Sequence, residues 1–170
     1  GMKIIVFGAN GRTGQEVIEQ AISSGIEVTA FVRNADNIKV QSDKLSIVVG
    51  QATRYEDVKN AMEGHDVVIS CIGGNGSKVS TTITDITKNI VDAMNETGVK
   101  RIAQVASAGV HGELKGIMGK IVSFMLKNPL KEGQLHETGA VAEIHEDQTA
   151  QITLALNPAA DGDLLPDLLG

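Results

Sequence analysis

Three glycines at a regular spacing, Gly8, Gly11 and Gly14, form the motif in this sequence that is best suited to chemistry. They follow an apolar, β-branched run at 3–7 and precede a helical pattern that has Val17, Ile18, Ala21 and Ile22 on one face. A glycine turn between a strand and a helix exposes free N–H groups and the positive end of the helix dipole, which together bind anions. We therefore predict a pyrophosphate site, in which Gly8 allows the tight turn, Gly11 the approach of the backbone and Gly14 close helix packing. A glycine turn without a ligand is the weaker alternative, because the required elements flank the motif on both sides.

The residues after the second predicted strand, 27–32, bear on which dinucleotide this site would bind. NAD-binding proteins carry an acidic residue about 20 positions beyond the glycines, where it holds the ribose 2′-OH. Here Arg33 and Asn34 follow the strand, and a guanidinium group can instead bind the planar 2′-phosphate of NADP. Arg12, inside the glycine loop, is a second candidate for the same phosphate. Ordinary solvated arginines are the alternative, and we predict NADP(H) as the cofactor.

Strands and helices alternate along the chain, which is typical of βαβ crossovers and a parallel sheet. The predicted fold is α/β: a Rossmann-like, doubly wound parallel sheet with strand order 3-2-1-4-5-6 and helices on both faces. Its ligand crevice lies between strands one and four, where the order reverses. The predicted strands span 3–7, 27–32, 45–50, 66–72, 101–106 and 150–156, and the predicted helices after the first span 56–62, 84–97, 113–128 and 135–146.

The composition predicts one globular domain, 1–170, that works in the cytoplasm. A formal net charge of −6 argues against a nucleic acid as the main partner, because such binding needs a basic face. No apolar run approaches the roughly 18 residues that span a membrane. The one cysteine, Cys71, has no partner for an internal disulfide, which fits a reducing compartment. No spacing of histidine, cysteine and carboxylate residues indicates a metal site.

The end of the fourth predicted strand is expected to line the crevice. Cys71, Ile72 and Gly73 lie at its carboxyl end, beside the first strand, and a glycine cluster follows. That cluster lacks the Gly-Lys-Ser/Thr order of a P-loop, so we predict none here. Cys71 is more typical of a small buried hydrophobe than of a nucleophile, because nothing nearby in sequence would lower its pKa.

From the glycine loop through Ser107 the sequence resembles the NmrA-like, atypical short-chain dehydrogenase/reductase group, which includes NADPH-dependent flavin and biliverdin-IXβ reductases and bacterial NADH-flavin reductases. The segments that carry the resemblance are 8–14, 31–34, 67–73 and 99–108. The resemblance implies a Rossmann fold, an NADP(H) cofactor and a planar hydride acceptor. It becomes patchy beyond about residue 130, and the relatives continue for several tens of residues past the last residue here. A truncated chain and an incorrect sequence near its end are the two explanations that this leaves open.

Two departures from the family's pattern bear on the site. Relatives carry an acidic residue near the adenine, after the glycine that ends the third strand, whereas Gln51 and Ala52 follow Gly50 here. The resemblance then implies an amide contact with adenine. The Tyr-x-x-x-Lys pair of ordinary short-chain dehydrogenases is predicted to be absent, and the sole tyrosine, Tyr55, is expected far from the site. Without that phenol to relay a proton, an epimerase or dehydratase is the weaker hypothesis.

The resemblance also supplies candidate catalytic residues. Ser107, at the carboxyl end of the fifth strand, matches the short-chain reductase serine and would orient the nicotinamide or substrate by hydrogen bonding, with a merely structural strand-end serine as the alternative. His111 and His136 are candidate proton donors because histidine titrates near neutral pH, although such histidines are more often surface residues. The predicted cofactor-binding residues are Gly8, Asn10, Gly11, Arg12, Thr13, Gly14, Arg33, Gln51, Ala52, Cys71, Ile72, Gly73 and Ser107.

We therefore predict an NADPH-dependent oxidoreductase that transfers hydride to a small planar acceptor such as a flavin or quinone. The alternative is a non-catalytic, NADP-binding redox sensor of the NmrA-like type, since a missing Tyr-x-x-x-Lys pair fits both. Ser107 and the glycine cluster after the fourth strand favour the reductase.

Overall fold

The structure is a computed structural model of the chain, and it describes residues 1–72, 81–107, 118–119, 121–122, 141–146 and 150–156. Its elements are β1 (Lys3–Phe7), α1 (Arg12–Ser23), β2 (Glu27–Val32), a 3-10 turn (Ala35–Asn37), β3 (Leu45–Val49), α2 (Tyr55–Met62), β4 (Val67–Ser70), α3 (Thr81–Thr97), β5 (Arg101–Ser107), β6 (Val141–Glu146) and β7 (Ala150–Leu156). The described strands form one sheet in the order β3-β2-β1-β4-β5-β7-β6.

The first five strands confirm the predicted order 3-2-1-4-5 and its parallel pairing. β1 is central, and Ile5 lies opposite Thr29 of β2 on one side and Val68 of β4 on the other. From Ile4 to Phe7 every side chain of β1 is buried. A strand buried on both faces is apolar throughout, which is why this run contains no polar residue after Lys3.

Helices cover both faces of the sheet, so the doubly wound α/β fold is confirmed. Alternate side chains of β1 point to opposite faces, Ile4 and Val6 toward α1, and Ile5 and Phe7 toward α2 and α3. The helix side chains that bury these faces are Val17, Ile18 and Ala21 of α1, Val58 and Met62 of α2, and Ile90 and Met94 of α3.

The helix predicted over 113–128 is described at only four positions. Residues 118–119 and 121–122 are helical, and Met118 and Ile121 pack into the cluster under α1. The remainder of that prediction lies outside the described residues. Among the helices that the structure describes, none is long and apolar enough to cross a membrane.

The strands beyond β5 depart from the predicted parallel order. β7 has the predicted bounds and lies beside β5, but it runs antiparallel. The helix predicted over 135–146 is wrong for 141–146, which form β6, antiparallel to β7. Only residues 147–149 separate these two strands. So short a connection suits antiparallel neighbours, because a parallel crossover needs a dozen or more residues.

A polar cluster joins α2 to α3 and corrects one prediction from the sequence. Tyr55 and Lys59 do have the Tyr-x-x-x-Lys spacing, so the prediction that no such pair is present was wrong. The Tyr55 hydroxyl donates a hydrogen bond to the Glu96 carboxylate, and Lys59 Nζ lies 3.1 Å from the same group. The hydrogen bond to Glu96, followed by burial, raises the pKa of Tyr55 to about 12. The two donors lower the pKa of Glu96.

This cluster predicts an unusual titration of the tyrosine. Because the chain has one tyrosine and no tryptophan, the change of its near-ultraviolet absorbance with pH reports the ionisation of this phenol. We expect an ionisation midpoint near pH 12 in the folded protein. Glu96→Gln should move the midpoint toward the ordinary value of about 10, because the amide carries no charge to oppose the phenolate. Since the pKa is raised, the contact stabilises the fold below about pH 10 and loses its effect as the pH rises toward 12.

Glu56→Gln serves as the control for that titration. Glu56 exerts the smallest of the charge effects on Tyr55, so its removal should shift the midpoint less than Glu96→Gln does. Equal midpoints in the wild type and Glu96→Gln, with both proteins folded by circular dichroism, would contradict the contact.

Candidate functional site

Two glycines of the loop after β1 are required by the fold itself. Gly8 has a φ of +76°, and a Cβ placed on it would lie 2.9 Å from the carbonyl carbon of Cys71, just beyond β4. Gly14 lies in the first turn of α1, where a Cβ would lie only 2.2 Å from the carbonyl oxygen of Gly8 and 2.8 Å from Cα of Ala9. Only hydrogen fits there, so α1 approaches the end of β1 as closely as the sequence predicted.

Gly11 has a different environment. It is the N-cap of α1 in extended backbone, with φ −79° and ψ 169°, and as a glycine it has no side chain that could cap the helix. A Cβ at this position would lie 3.6 Å from the Gly8 carbonyl oxygen, an ordinary contact. The fold itself therefore does not require a glycine here. A glycine at such a position is expected where a ligand, rather than another part of the protein, lies against the backbone. The first turn of α1 contains no acidic residue, so the positive end of its dipole favours an anion.

A cleft of about 330 Å³ lies beside this loop at the carboxyl end of the sheet. Residues that follow four neighbouring parallel strands contribute to its walls: Gly8 after β1, Arg33 after β2, Gln51 after β3 and Ile72 after β4. Its size lies at the lower end of the range for small-molecule sites. The cleft therefore occupies the reversal of strand order at which open α/β sheets bind their ligands.

The predicted cofactor-binding residues divide between this cleft and the loop beside it. Those that line the cleft are Gly8, Asn10, Arg33, Gln51, Ala52 and Ile72. Gly11 and the first turn of α1, which includes Arg12, Thr13 and Gly14, form the adjacent helix start. Gly73, His111 and His136 lie outside the described residues, and Ser107 is described as the last residue of β5 by its backbone alone.

Cys71 behaves as a small apolar side chain. It packs against the core cluster under α1. Burial raises the pKa of its thiol to about 12, so the thiolate is not formed near neutral pH. This agrees with the interpretation of Cys71 as a small buried hydrophobe, and Cys71, although predicted to bind the cofactor, is not among the residues that line the cleft.

Sequence reasoning missed the wall that α3 adds to the cleft. Thr82, Ile83 and Ile86 line it, and the predicted site contains none of them. The available signal was the length of the apolar face of this helix, which continues more than one turn before the buried Ile90.

The charge of the cleft suits a phosphate. Arg33 is the one charged side chain of the described lining, which contains no carboxylate. The first acidic residue beyond β2 is Asp36, in the 3-10 turn, where its N–H donates to Asn34 Oδ1 at 3.0 Å. The residues present thus fit a dinucleotide: a glycine turn and helix N-terminus for the pyrophosphate, a guanidinium for a further phosphate and an apolar wall for the base.

A family model described as NAD(P)H-binding matches residues 8–151. The chain belongs to this NAD(P)H-binding family. The match begins at Gly8, the first glycine of the loop, and extends through β6 into β7. The chain therefore contains an NAD(P)H-binding domain with a Rossmann-like fold.

Individual relatives of this NAD(P)H-binding protein cover only part of it. An uncharacterised chloroplastic protein of Arabidopsis thaliana is 32% identical over 123 residues, which are 67% of this chain and 44% of that protein. A 3-beta-hydroxysteroid dehydrogenase of Mycolicibacterium neoaurum is 28% identical over 120 residues, 64% of this chain and 32% of the enzyme. The chain thus spans less than half the length of these relatives. A solved structure of a Rossmann-fold NAD(P)-binding family protein from Shigella flexneri has a TM-score of 0.53 at 18% identity and covers 85% of this chain and 76% of its own, which shows the shared fold.

Gly11 and Gly14 should respond differently to the same substitution. Gly11→Ala should weaken dinucleotide binding tenfold or more, because the methyl group occupies space meant for the ligand, while costing about 1 kcal/mol of stability as a poorer N-cap. Gly14→Ala should lower the free energy of unfolding by about 2–3 kcal/mol, because its Cβ meets backbone atoms. Denaturant unfolding and titration calorimetry with NADPH separate the two effects. Unchanged NADPH affinity in Gly11→Ala would contradict a ligand at this backbone.

Proposed function

We propose that the protein is an NADPH-dependent oxidoreductase of the NmrA-like, atypical short-chain reductase type, which transfers hydride to a planar acceptor such as a flavin or quinone. One observation carries the choice of cofactor: the described cleft lining contains Arg33 and no carboxylate. A guanidinium binds phosphate through two parallel charge-assisted hydrogen bonds, and a lining without carboxylates does not repel the dianion. We place the activity in the cytoplasm because the sole cysteine, Cys71, is a free thiol.

The chain's own residues bind and orient in this proposal. The N-terminus of α1 holds the pyrophosphate, and Ile72, Ile83 and Ile86 exclude water from the base. When bound, the reduced nicotinamide supplies a hydride, and a planar acceptor takes that hydride together with one proton. Ser107 ends the strand next to β4, so we assign it the orientation of the nicotinamide or the acceptor.

Two described side chains that carry an acidic proton, Tyr55 and Cys71, have pKa values that make them poor proton donors near neutral pH. The Tyr55 phenol is bonded to Glu96, and its pKa is raised to about 12. Burial raises the pKa of the Cys71 thiol to about 12. An effective acid near neutral pH needs a pKa close to the working pH, and both groups are far above it. The proposal therefore assigns the proton to solvent or to the candidate donors His111 and His136, and not to these two groups.

A non-catalytic NADP(H) sensor is the second candidate. The observation that favours it concerns Tyr55 and Lys59, the pair with the spacing of short-chain dehydrogenase catalysis, which both bind Glu96. A sensor would bind NADPH in the same cleft without oxidising it when acceptors are added.

Reversing the charge of Arg33 tests the cofactor preference. Arg33→Glu should weaken NADPH binding about a hundredfold, because it replaces a charge-assisted phosphate contact by repulsion, and should change NADH binding little. Lys44→Glu is the matched control: Lys44 is exposed and precedes β3, at the end of the sheet opposite the cleft. Equal losses for NADPH and NADH in Arg33→Glu would refute the 2′-phosphate role.

Oxidation of NADPH by the purified protein, with FMN or small quinones as acceptors and NADH as the comparison, tests the activity. Saturable turnover that prefers NADPH supports the reductase, whereas tight binding without turnover supports the sensor. In a reductase, Ser107→Ala should slow turnover about tenfold at saturating NADPH with little change in NADPH affinity. Ser46→Ala, in exposed β3, is the control. Unchanged turnover in Ser107→Ala would leave Ser107 a structural role only.

A further inference from the structure

The loop between β3 and α2 is held at three successive peptide bonds. The N–H of Gln51 donates to Asp57 Oδ2 at 3.0 Å, and the carbonyl of Gln51 accepts from the N–H of Arg54 at 3.0 Å. The carbonyl of Ala52 accepts from Asn89 Nδ2 at 3.0 Å. Because the N–H and C=O of a trans peptide unit point in opposite directions, each bond also fixes the direction of the second group on the same unit.

The two side chains in this arrangement come from different helices. Asp57 lies in the first turn of α2, where its charge also interacts favourably with the helix dipole. Asn89 lies in α3, 37 residues beyond its partner Ala52. The helix that provides the apolar wall of the cleft therefore also holds the loop on the other side of it.

The loop and the wall together suit a flat heteroaromatic base. Gln51, Ala52 and Thr53 line the cleft on one side, and Ile83 and Ile86 of α3 line it with apolar side chains on the other. A ligand that fills such a space has apolar faces and a hydrogen-bonding edge. A purine base has this chemistry.

We propose that Asn89 and Asp57 are positioning residues that hold this loop for the base of the dinucleotide and so set a preference for adenine over hypoxanthine. The proposal rests on the proposed binding of NADP(H). The Gln51 carboxamide alone discriminates poorly, because it can turn over and exchange its oxygen with its NH₂. A backbone group whose peptide plane is held has no such freedom. The donor and acceptor on the edge of hypoxanthine are reversed relative to adenine, so the fixed planes carry the discrimination.

Asn89→Asp tests the contact from α3. It keeps the size of the side chain but replaces the donor by a carboxylate that repels the Ala52 carbonyl, which releases the loop. We expect about tenfold weaker binding of NADPH with little change for its hypoxanthine analogue, so that the ratio of the two dissociation constants falls about tenfold. Asn60→Asp is the control, because Asn60 is exposed on α2 and the substitution makes the same change of charge.

Asp57 provides a second variant that acts from the other end of the loop. Asp57→Ala removes the acceptor for the Gln51 N–H and should lower the same ratio. Asp57→Asn keeps an acceptor oxygen and should restore most of it. Thermal unfolding of each variant shows whether the fold is retained.

Titration calorimetry of the full chain with NADPH and with its hypoxanthine analogue gives the ratio directly. Equal weakening for both dinucleotides, an unchanged ratio in Asn89→Asp, or no preference in the wild type would each overturn the proposal. The oxidation assay separates this result from the proposed reductase. A ratio that falls in a protein without turnover supports the positioning role and refutes the reductase, whereas turnover with an unchanged ratio does the opposite.

Discussion

The close approach of Gly14 to the carbonyl oxygen of Gly8 determines where the other parts of the cleft lie. No side chain separates the two backbones, so the first turn of α1 begins directly over the end of β1. Further along the helix, Val17, Ile18 and Ala21 are buried against the sheet and hold it there. Each such aliphatic side chain contributes on the order of 1–3 kcal/mol, so the helix cannot tilt away to admit a larger residue without losing this burial. The N-terminus of α1 is thereby fixed beside the cleft.

Local charge, more than net charge, decides what this cleft can bind. The chain carries a formal charge of −6, yet the described lining of the cleft has no carboxylate. Acidic residues nearby act on the protein itself: Asp57 accepts from the backbone of Gln51, and Glu96 accepts from Tyr55 and pairs with Lys59. Salt screens distant surface charges within about 10 Å, so a phosphate in the cleft is affected mainly by Arg33 and the start of α1.

The parts of the fold that could be predicted from the sequence are those whose signal is local. β1 and β2 have the predicted bounds because a β-branched run bounded by turn residues is sufficient to define a buried strand. β6 falls within a helix predicted over 135–146, because its pairing with β7 depends on an antiparallel neighbour that the local sequence does not reveal. The glycine loop was found by its motif, but the bond between Asn89 and Ala52 joins residues far apart in sequence and leaves no local pattern.

Tyr55 and Lys59 show that a spacing typical of catalysis is not sufficient for it, because the charges around the tyrosine determine its pKa. Residues four apart on a helix share a face, which is why this spacing brings a lysine close to a tyrosine. Catalysis by such a pair depends on a positive charge that lowers the pKa of the phenol. Here Glu96 is bonded to both side chains and the pKa of Tyr55 is raised to about 12, the opposite direction. The spacing serves to join α2 to α3. Helix α3 in turn forms one wall of the cleft and carries Asn89. Spacing alone therefore does not identify a catalytic pair, because the charge that surrounds the tyrosine determines the direction in which its pKa moves.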